Sequence, residues 1–411
     1  MSSPYTVHVA QTMCEIDAAQ WDACANPEAD PNGLGMAAPG PEPTRDGDQP
    51  ANEAERFNPF ITHAFLTALE TSKSVGSRAG WISAHILVRD AGGRLAAAAP
   101  AYLKTHSMGE YVFDQGWADA YHRAGLPYYP KLQVAVPFTP VTGRRLLVAP
   151  GHSEAARQTL IAGLRALREK AGASSLHITF PTRTEWETLG AVGFLQRTGQ
   201  QFHFINKGYP DFDTFLANLA SRKRKMIRRE RKAALAGGIA IELLSGAGIT
   251  ETHWDVFFRF YMDTGARKWG TPYLNRAFFS HVGASMRDHI LLVMAKRNGR
   301  YIAGAINFLG QDALYGRNWG AIEEHPFLHF EICYYQAIEF AISRGLSRVE
   351  AGAQGEHKLV RGYRAVATFS AHDIGDKRFA RAIDEYLQRE RIHIDEALRE
   401  YGELEPFKKG P

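Results

Sequence analysis

Apolar and polar positions alternate with the clearest helical period between Leu328 and Ser343. Glu331, Tyr334, Tyr335, Ile338, Ala341 and Ile342 fall at i, i+3, i+4, i+7, on one face, and Arg344 and Gly345 add a basic last turn and a C′ glycine. The spacing predicts a buried helix with one carboxylate, Glu331, on its apolar stripe. Two readings of that acid stay open: a first-turn acid favoured by the helix dipole, or a desolvated acid tuned for proton transfer. Ser347–Ala351 then reads as a strand that delivers Glu350, and Gly352–Arg361 as a loop holding Gln354, Glu356, His357, Lys358 and Arg361. Loops at strand ends present side chains from a rigid base, so chemistry is expected there.

The same order of elements occurs twice. His85–Leu103 aligns with Leu291–Leu309, with Gly93-Arg94 opposite Gly299-Arg300, and each copy reads as a hairpin. Ala155–Phe180 matches His329–Gln354 as helix, closing glycine (Gly172, Gly345) and strand. Gly193-Phe194 and Gly362-Tyr363 then precede last strands at Gln201–Asn206 and Thr368–Ile374. The expected fold is α/β (α+β), two modules at 1–207 and 208–411, each an antiparallel hairpin feeding a crossover helix and a parallel strand. Outside the repeat, Asn58-Pro59-Phe60 leads a helix through Glu70. Another begins near Asp211 and turns Phe212, Phe215, Leu216, Leu219, Met226 and Ile227 inward, and Phe379–Tyr401 is a helix that braces the two copies. Residues 26–54, rich in Pro, Gly, Asp and Ala, are expected to form a mobile loop, either a plain insertion or a lid.

Composition adds bounds. The 411 residues, 45% hydrophobic, suffice for two cores, and a net charge of +4 makes local clustering more telling than the total. The one strong cluster is Ser221–Lys232, with eight positive charges and one negative; it is either a solvated helix or a face that tracks phosphates through Arg222, Lys223, Arg224, Lys225, Arg228 and Arg229. Cys14, Cys24 and Cys333 form no CxxC pair, and there is no apolar run near 18 residues and no leader pattern, so a reduced, cytoplasmic protein without a membrane span is expected. Pro326 between His325 and His329 argues against a zinc site, and the lack of P-loop and dinucleotide glycine patterns removes nucleotide hydrolysis and redox readings.

Several titratable residues cluster in the second copy. His357 titrates near working pH unperturbed, Glu331 and Glu350 can serve as bases if desolvated, and Tyr363, Tyr334 or Tyr335 can return a proton. Arg267, Lys268, Trp269, Asn318 and Trp319, with Lys358, suit a pocket in which rings stack and cations hold phosphate, although core tryptophans read equally well. In the first copy, Asp114, Trp117, Asp119, Tyr121, His122, Tyr128, Tyr129 and Lys131 form a polar-aromatic run suited to contact an acceptor.

The segments Arg317–Ala321 (RNWGA), His329–Ile338 (HFEICYYQAI), Gly352–Tyr363 (GAQGEHKLVRGY) and Arg267–Leu274 (RKWGTPYL) resemble a bacterial group of Fem-related predicted N-acyltransferases built from tandem acetyltransferase-like (GNAT) modules. The resemblance runs from about Asn58 to Glu390. It implies amide formation by direct attack of an amine on an activated carbonyl, with a peptidoglycan or cell-envelope precursor as acceptor. It also implies no permanent cofactor, and aminoacyl-tRNA or acyl-CoA as co-substrate. Neither copy carries the Gly-rich turn of ordinary GNAT enzymes at the crossover helix: Val148–Arg157 has one glycine, and Ala321–Glu331 has none but has Glu323-Glu324, which favours the tRNA donor. Fem ligases place a basic residue before a Gly-aromatic pair, as in Arg361-Gly362-Tyr363. The implied role of Arg361 is to hold a phosphate or the oxyanion, with Arg361→Ala lowering turnover at little cost to the fold. The site so implied comprises Glu331, Glu350, His357, Arg361 and Tyr363, with Tyr335 and Lys358 at the substrate. A coenzyme A-dependent enzyme and a non-catalytic module that binds glycan or nucleic acid are the competing readings.

Overall fold

The computed structural model describes residues 4–27, 56–152, 154–268, 272–352 and 355–408. Most of the segment 26–54, with its loop or lid reading, lies outside them, as do Trp269 and Gln354. The described chain packs into two units, one formed by 4–27, 56–199 and 367–396, the other by 200–366 and 397–408. Where the sequence suggests one boundary after residue 207, the chain crosses inside the strand Leu195–Ile205, inside the strand Tyr363–Ile374 and inside the C-terminal helix Lys377–Glu403.

In the second unit the hairpin is present: Ile290–Arg297 pairs antiparallel with Arg300–Leu309 around Asn298 (φ 51) and Gly299 (φ 74), both in the left-handed region that a tight two-residue turn requires. Ile239–Ser245 joins one side of this pair and Ala313–Ala321 the other. The crossover helix then leads to Arg348–Glu350, which runs parallel to Ala313–Tyr315 and antiparallel to His203–Ile205. A bulge at Arg317 shifts the register from Asn307↔Gly316 to Ile306↔Asn318. From Gly316 to Ala321 the strand has no strand partner on the Glu350 side among the described residues, so the sheet opens there. A Cβ on Gly320 would meet the Phe260 carbonyl at 2.2 Å, so this glycine lets the helix Glu251–Lys268 lie directly on the strand. Phe204, Phe215, Ile227, Ile332, Ile338, Val349 and Tyr363 belong to the core of this unit.

The long helix expected from Asp211 is broken into Phe212–Asn218 and Ser221–Ala234. Leu219 turns extended at the break and bridges to Phe407, while the Ala220 N–H donates to the Pro406 carbonyl at 2.9 Å. The C-terminal tail thus satisfies the backbone groups that a continuous helix would have paired internally.

The first unit repeats the order with its strands shared between two sheets. Thr6–Ala10, His85–Arg89, Leu95–Ala99 and Leu147–Val148 form one antiparallel sheet. Trp81–Ser83, Ala101–Lys104, Lys131–Val134, Ser175–Thr179 and Ser370–Ile374 lie in the other, where Leu132–Val134 runs parallel to Leu176–Ile178 after the crossover helix Glu154–Lys170. The helix expected from Asn58 instead starts as a 3-10 turn, Pro59–Ile61, and Thr62 caps the helix His63–Thr71. The fold is therefore mixed α/β, built from two units of similar order.

Candidate active site

The helix predicted at Leu328–Ser343 carries a π-helical segment, Glu331–Tyr335, between Leu328–Phe330 and Gln336–Ser343. Such wide turns recur at functional sites because the extra residue re-aims its neighbours. Opposite it lies the 3-10 turn Glu356–Arg361, closed by Gly362 at φ 94. A Cβ there would meet the Phe215 ring at 2.7 Å, in a conformation that L side chains avoid, so only glycine fits.

Arg361 is the hub between these elements. Its Nη2 donates to both oxygens of buried Glu230 (3.0 and 2.9 Å), its Nε to the Tyr335 hydroxyl (3.0 Å) and its Nη1 to the His357 carbonyl (2.7 Å), while the guanidinium lies 3.6 Å from the centre of the Phe330 ring. The Tyr335 hydroxyl in turn donates to Glu230. The guanidinium expected to hold an oxyanion or phosphate is thus occupied by the protein itself; it positions Tyr335 and the His357 turn. Removing it would leave buried Glu230 with only the Tyr335 hydroxyl as a partner, which weighs against Arg361→Ala sparing the fold.

Glu331 is likewise committed. Its carboxylate takes Arg231 Nε at 3.2 and 3.1 Å, Arg231 Nη2 at 2.9 Å and Gln336 Nε2 at 2.7 Å. The buried carboxylate is thus held by three donor atoms through four contacts.

His357 differs from both. Its ring is exposed, packs near Phe330, and holds Nε2 3.0 Å from the Tyr334 hydroxyl. Partial burial, then the charges of Arg361 and Lys358, push its pKa below the usual histidine value. It is therefore neutral at pH 7 and able to accept a proton. Burial holds the Tyr334 phenol protonated well above its usual range. Lys358 is buried, donates Nζ to the Gly352 carbonyl at 2.8 Å, sits 6.0 Å from the Tyr334 ring centre, and is pushed down to about 8 by burial. Tyr363 packs edge-on against Tyr334, fully buried, and its hydroxyl has no hydrogen-bond partner among the described residues.

Glu350 stands apart from this group, at the end of its strand. Oε1 accepts from Arg348 Nε at 3.0 Å, Arg348 also pairs with Asp312 at 2.7 Å, and Oε2 has no hydrogen-bond partner among the described residues, with His203 Nε2 at 3.8 Å. Burial pushes His203 down to about 4, so it is neutral there.

The flanking candidates divide as well. Trp319 packs on His329 at 5.1 Å, and His329 on Tyr334 at 5.4 Å, which ties Trp319 to the π segment; Asn318 precedes it on the half-exposed part of the strand. Arg267 is held by Asp263 (2.6 Å), Glu324 (3.3 Å) and the Ala321 carbonyl (2.6 Å), and Lys268 ends its helix. On the helix Ser221–Ala234, Arg222, Lys225, Arg228 and Arg229 are exposed and Lys223 and Arg224 half-buried; Arg228 pairs with Asp213 and Arg224 reaches the Ala217 and Leu219 carbonyls. The inward face of the same helix carries what sequence reasoning missed, Glu230 and Arg231. Ile227, Glu230 and Ala234 follow helical spacing, so the single acid of the basic run could have been assigned to the buried face. In the first copy, Asp114, Tyr128 and Lys131 are buried in an ion network, Trp117 and Tyr121 join an apolar cluster, and Asp119 and His122 are exposed, so the expected acceptor-binding run does not form one surface.

Comparison with curated proteins gives no match. Among solved structures the chain is similar to FemX (12% identity over 78% of this chain and 94% of that one, TM-score 0.48) and to L-PGS from Bacillus licheniformis (9%, 81% and 97%, TM-score 0.49). It is also similar to a tandem GNAT protein from the clavulanic acid biosynthesis pathway (12%, 90% and 99%, TM-score 0.42). A family model described as FemAB-like, peptidoglycan biosynthesis/recognition, matches residues 12–409. Because that match spans nearly the whole sequence, the chain belongs to the FemAB-like family.

Proposed function

We propose that the protein is an N-acyltransferase of the Fem type, which forms an amide on an amine of a peptidoglycan or other cell-envelope precursor. The observation that carries this reading is the neutral, exposed His357 hydrogen-bonded to Tyr334 on the π segment of a FemAB-like chain. An amine attacks the activated carbonyl. As the nitrogen–carbon bond forms, the amine proton passes to the Tyr334 oxygen and the phenol proton to His357 Nε2. The reverse transfer protonates the leaving hydroxyl as the ester bond breaks, so the relay ends as it began. Lys358 contributes positive charge beside the developing oxyanion. Among the described residues no helix is long and apolar enough to cross a membrane.

We take aminoacyl-tRNA as the donor, since the exposed cations Arg222, Lys225, Arg228 and Arg229 lie on the helix whose other face anchors Arg361. One observation favours acyl-CoA instead. Glu323, expected to repel phosphates, is paired with Arg297 (2.6 Å) and His325 (2.8 Å), and Glu324 with Arg267 (3.3 Å). The test is to incubate the protein with a muropeptide amine and either charged tRNA or an acyl-CoA, and to detect the amide by mass spectrometry. Product from charged tRNA alone is expected; product from acyl-CoA alone overturns the donor, and product from neither overturns the reading.

A further inference from the structure

A groove of about 440 Å3 lies in the first unit, walled by the helix Arg183–Ala191 and the C-terminal helix Lys377–Glu403. That size suits a small ligand. None of its residues takes part in the chemistry proposed for the second unit. Its floor is aromatic: Trp186 and Phe369 pack with ring centres 4.9 Å apart. The indole N–H of Trp186 is buried and has no acceptor among the described residues, a costly arrangement that a ligand oxygen would relieve. Along one wall, Arg391, Ile392 and Asp395 follow in helical register, and Ile392 leaves 59% of its surface exposed beside the groove.

Arg391 and Asp395 are four residues apart, where opposite charges on a helix usually pair. Here Arg391 Nη1 donates to the Gln196 carbonyl. That bond fixes the guanidinium at the groove wall, with Nε and Nη2 remaining for a ligand, and Asp395 keeps an exposed carboxylate. The wall therefore presents a cation and an anion one helical turn apart, their Cβ atoms about 6 Å apart, above an apolar floor. The ammonium and carboxylate of an extended dipeptide are separated by about 7 Å.

We propose that this groove binds a zwitterionic peptide of dipeptide size, its carboxylate on Arg391, its ammonium on Asp395 and an apolar side chain over Trp186 and Ile392. A nucleotide would use Arg391 and the rings but gains nothing from Asp395, which repels its phosphate. The test is calorimetric titration of the full chain with alanyl-leucine, its N-acetyl derivative and its C-terminal amide, none of which requires acyl transfer. Blocking either terminus is expected to weaken binding roughly tenfold, the size of one lost charge-assisted hydrogen bond. Arg391→Ala should bind the dipeptide no better than its amide, and Asp395→Asn no better than its N-acetyl form. Trp186→Phe should lose the fluorescence change that accompanies binding. Equal affinity for the three ligands, binding unaltered in both charge variants, or no binding of alanyl-leucine at all would each overturn the proposal. Arg391 and Asp395 are at half-exposed and exposed positions, so folding does not confound their replacement.

Discussion

In the first unit Lys104 and Lys131 face each other across adjacent strands, both fully buried; in the second, Lys358 and Arg361 lie buried beside His357. The lysine pair is closed over by Glu110 and Asp114: Glu110 sits 2.6 Å from Lys131 and 3.7 Å from Lys104, and Lys104 also lies over the Trp81 ring at 3.8 Å. Burial pushes Lys104 down to about 7 and Glu110 up to about 7. Both clusters contain polar oxygens without hydrogen-bond partners among the described residues, Glu110 Oε1 and Asp114 Oδ1 in one, Tyr363 in the other. Shifted pKa values and orphaned atoms therefore do not mark the reactive site by themselves. Access does: every charged member of the first cluster is buried, whereas His357 brings a neutral, proton-accepting ring to the surface.

The sharpest way to break this distinction is to remove one member of each cluster. His357→Ala should lower turnover by about 10²–10⁴-fold, the range of a lost acid–base group, with thermal stability within about 0.5 kcal/mol of the parent, as for other surface changes. Lys131→Met should do the reverse. It leaves Glu110 and Asp114 buried without their main partner, a loss of about 3–5 kcal/mol, measured by urea unfolding, with turnover per folded molecule unchanged. A Lys131→Met protein that folds normally but transfers nothing would move the chemistry to the first unit.

Acid should act on the units unequally. His177 and His372 face each other in the first unit with Nδ1 atoms 2.7 Å apart, and burial holds both well below the usual histidine pKa. Below the unfolded value near 6.5 the unfolded chain binds protons that the folded chain refuses, so stability is present above that pH and falls as pH drops beneath it. Each buried histidine costs up to about 1.4 kcal/mol per pH unit in that window. In the second unit burial pushes His203 down to about 4. Hydrogen exchange followed from pH 7 to pH 5 should show the strands Ser175–Thr179 and Ser370–Ile374 losing protection before Arg348–Glu350. Loss in the opposite order would mean that the histidine pair is not the acid-sensitive element. Turnover should follow a separate curve, rising through a pKa below 6.5 as His357 loses its proton and falling above about 8 as Lys358 loses its charge.

The sequence made the repeat legible because its marks are local: a glycine-bearing tight turn, helical spacing ending at Gly345, and a polar loop after a strand. His357 was identifiable for the same reason, as a titratable residue in a glycine-flanked loop. The features that escaped depend on residues remote in the chain. Leu219 and Ala220 break their helix because Pro406 and Phe407 supply the alternative partners. Arg361 reads as a free cation until Glu230, 131 residues earlier, is seen beneath it. The π turn at Glu331–Tyr335 also leaves no local signature, since the apolar stripe runs through it unchanged. Composition located the charged loop, and only packing showed which of its charges are spent.

Tyr363 gives the finest discrimination. Its hydroxyl is buried, has no partner, and burial holds it protonated far above the usual phenol range. A group so placed can donate a proton only if substrate binding opens a path to it; otherwise it is, like Glu110 Oε1, a polar atom that the fold tolerates at a cost. Tyr363→Phe separates the two cases because it removes the oxygen and keeps the ring that packs on Tyr334. With no bond to lose and an unsatisfied hydroxyl removed, the variant should unfold at an equal or higher temperature, by up to about 1 kcal/mol, and keep its turnover. A drop of tenfold or more in turnover, with the pH profile set by His357 unaltered, would show that the hydroxyl reaches the reacting atoms and would restore Tyr363 as the proton donor that its place beside Arg361 and Gly362 first suggested.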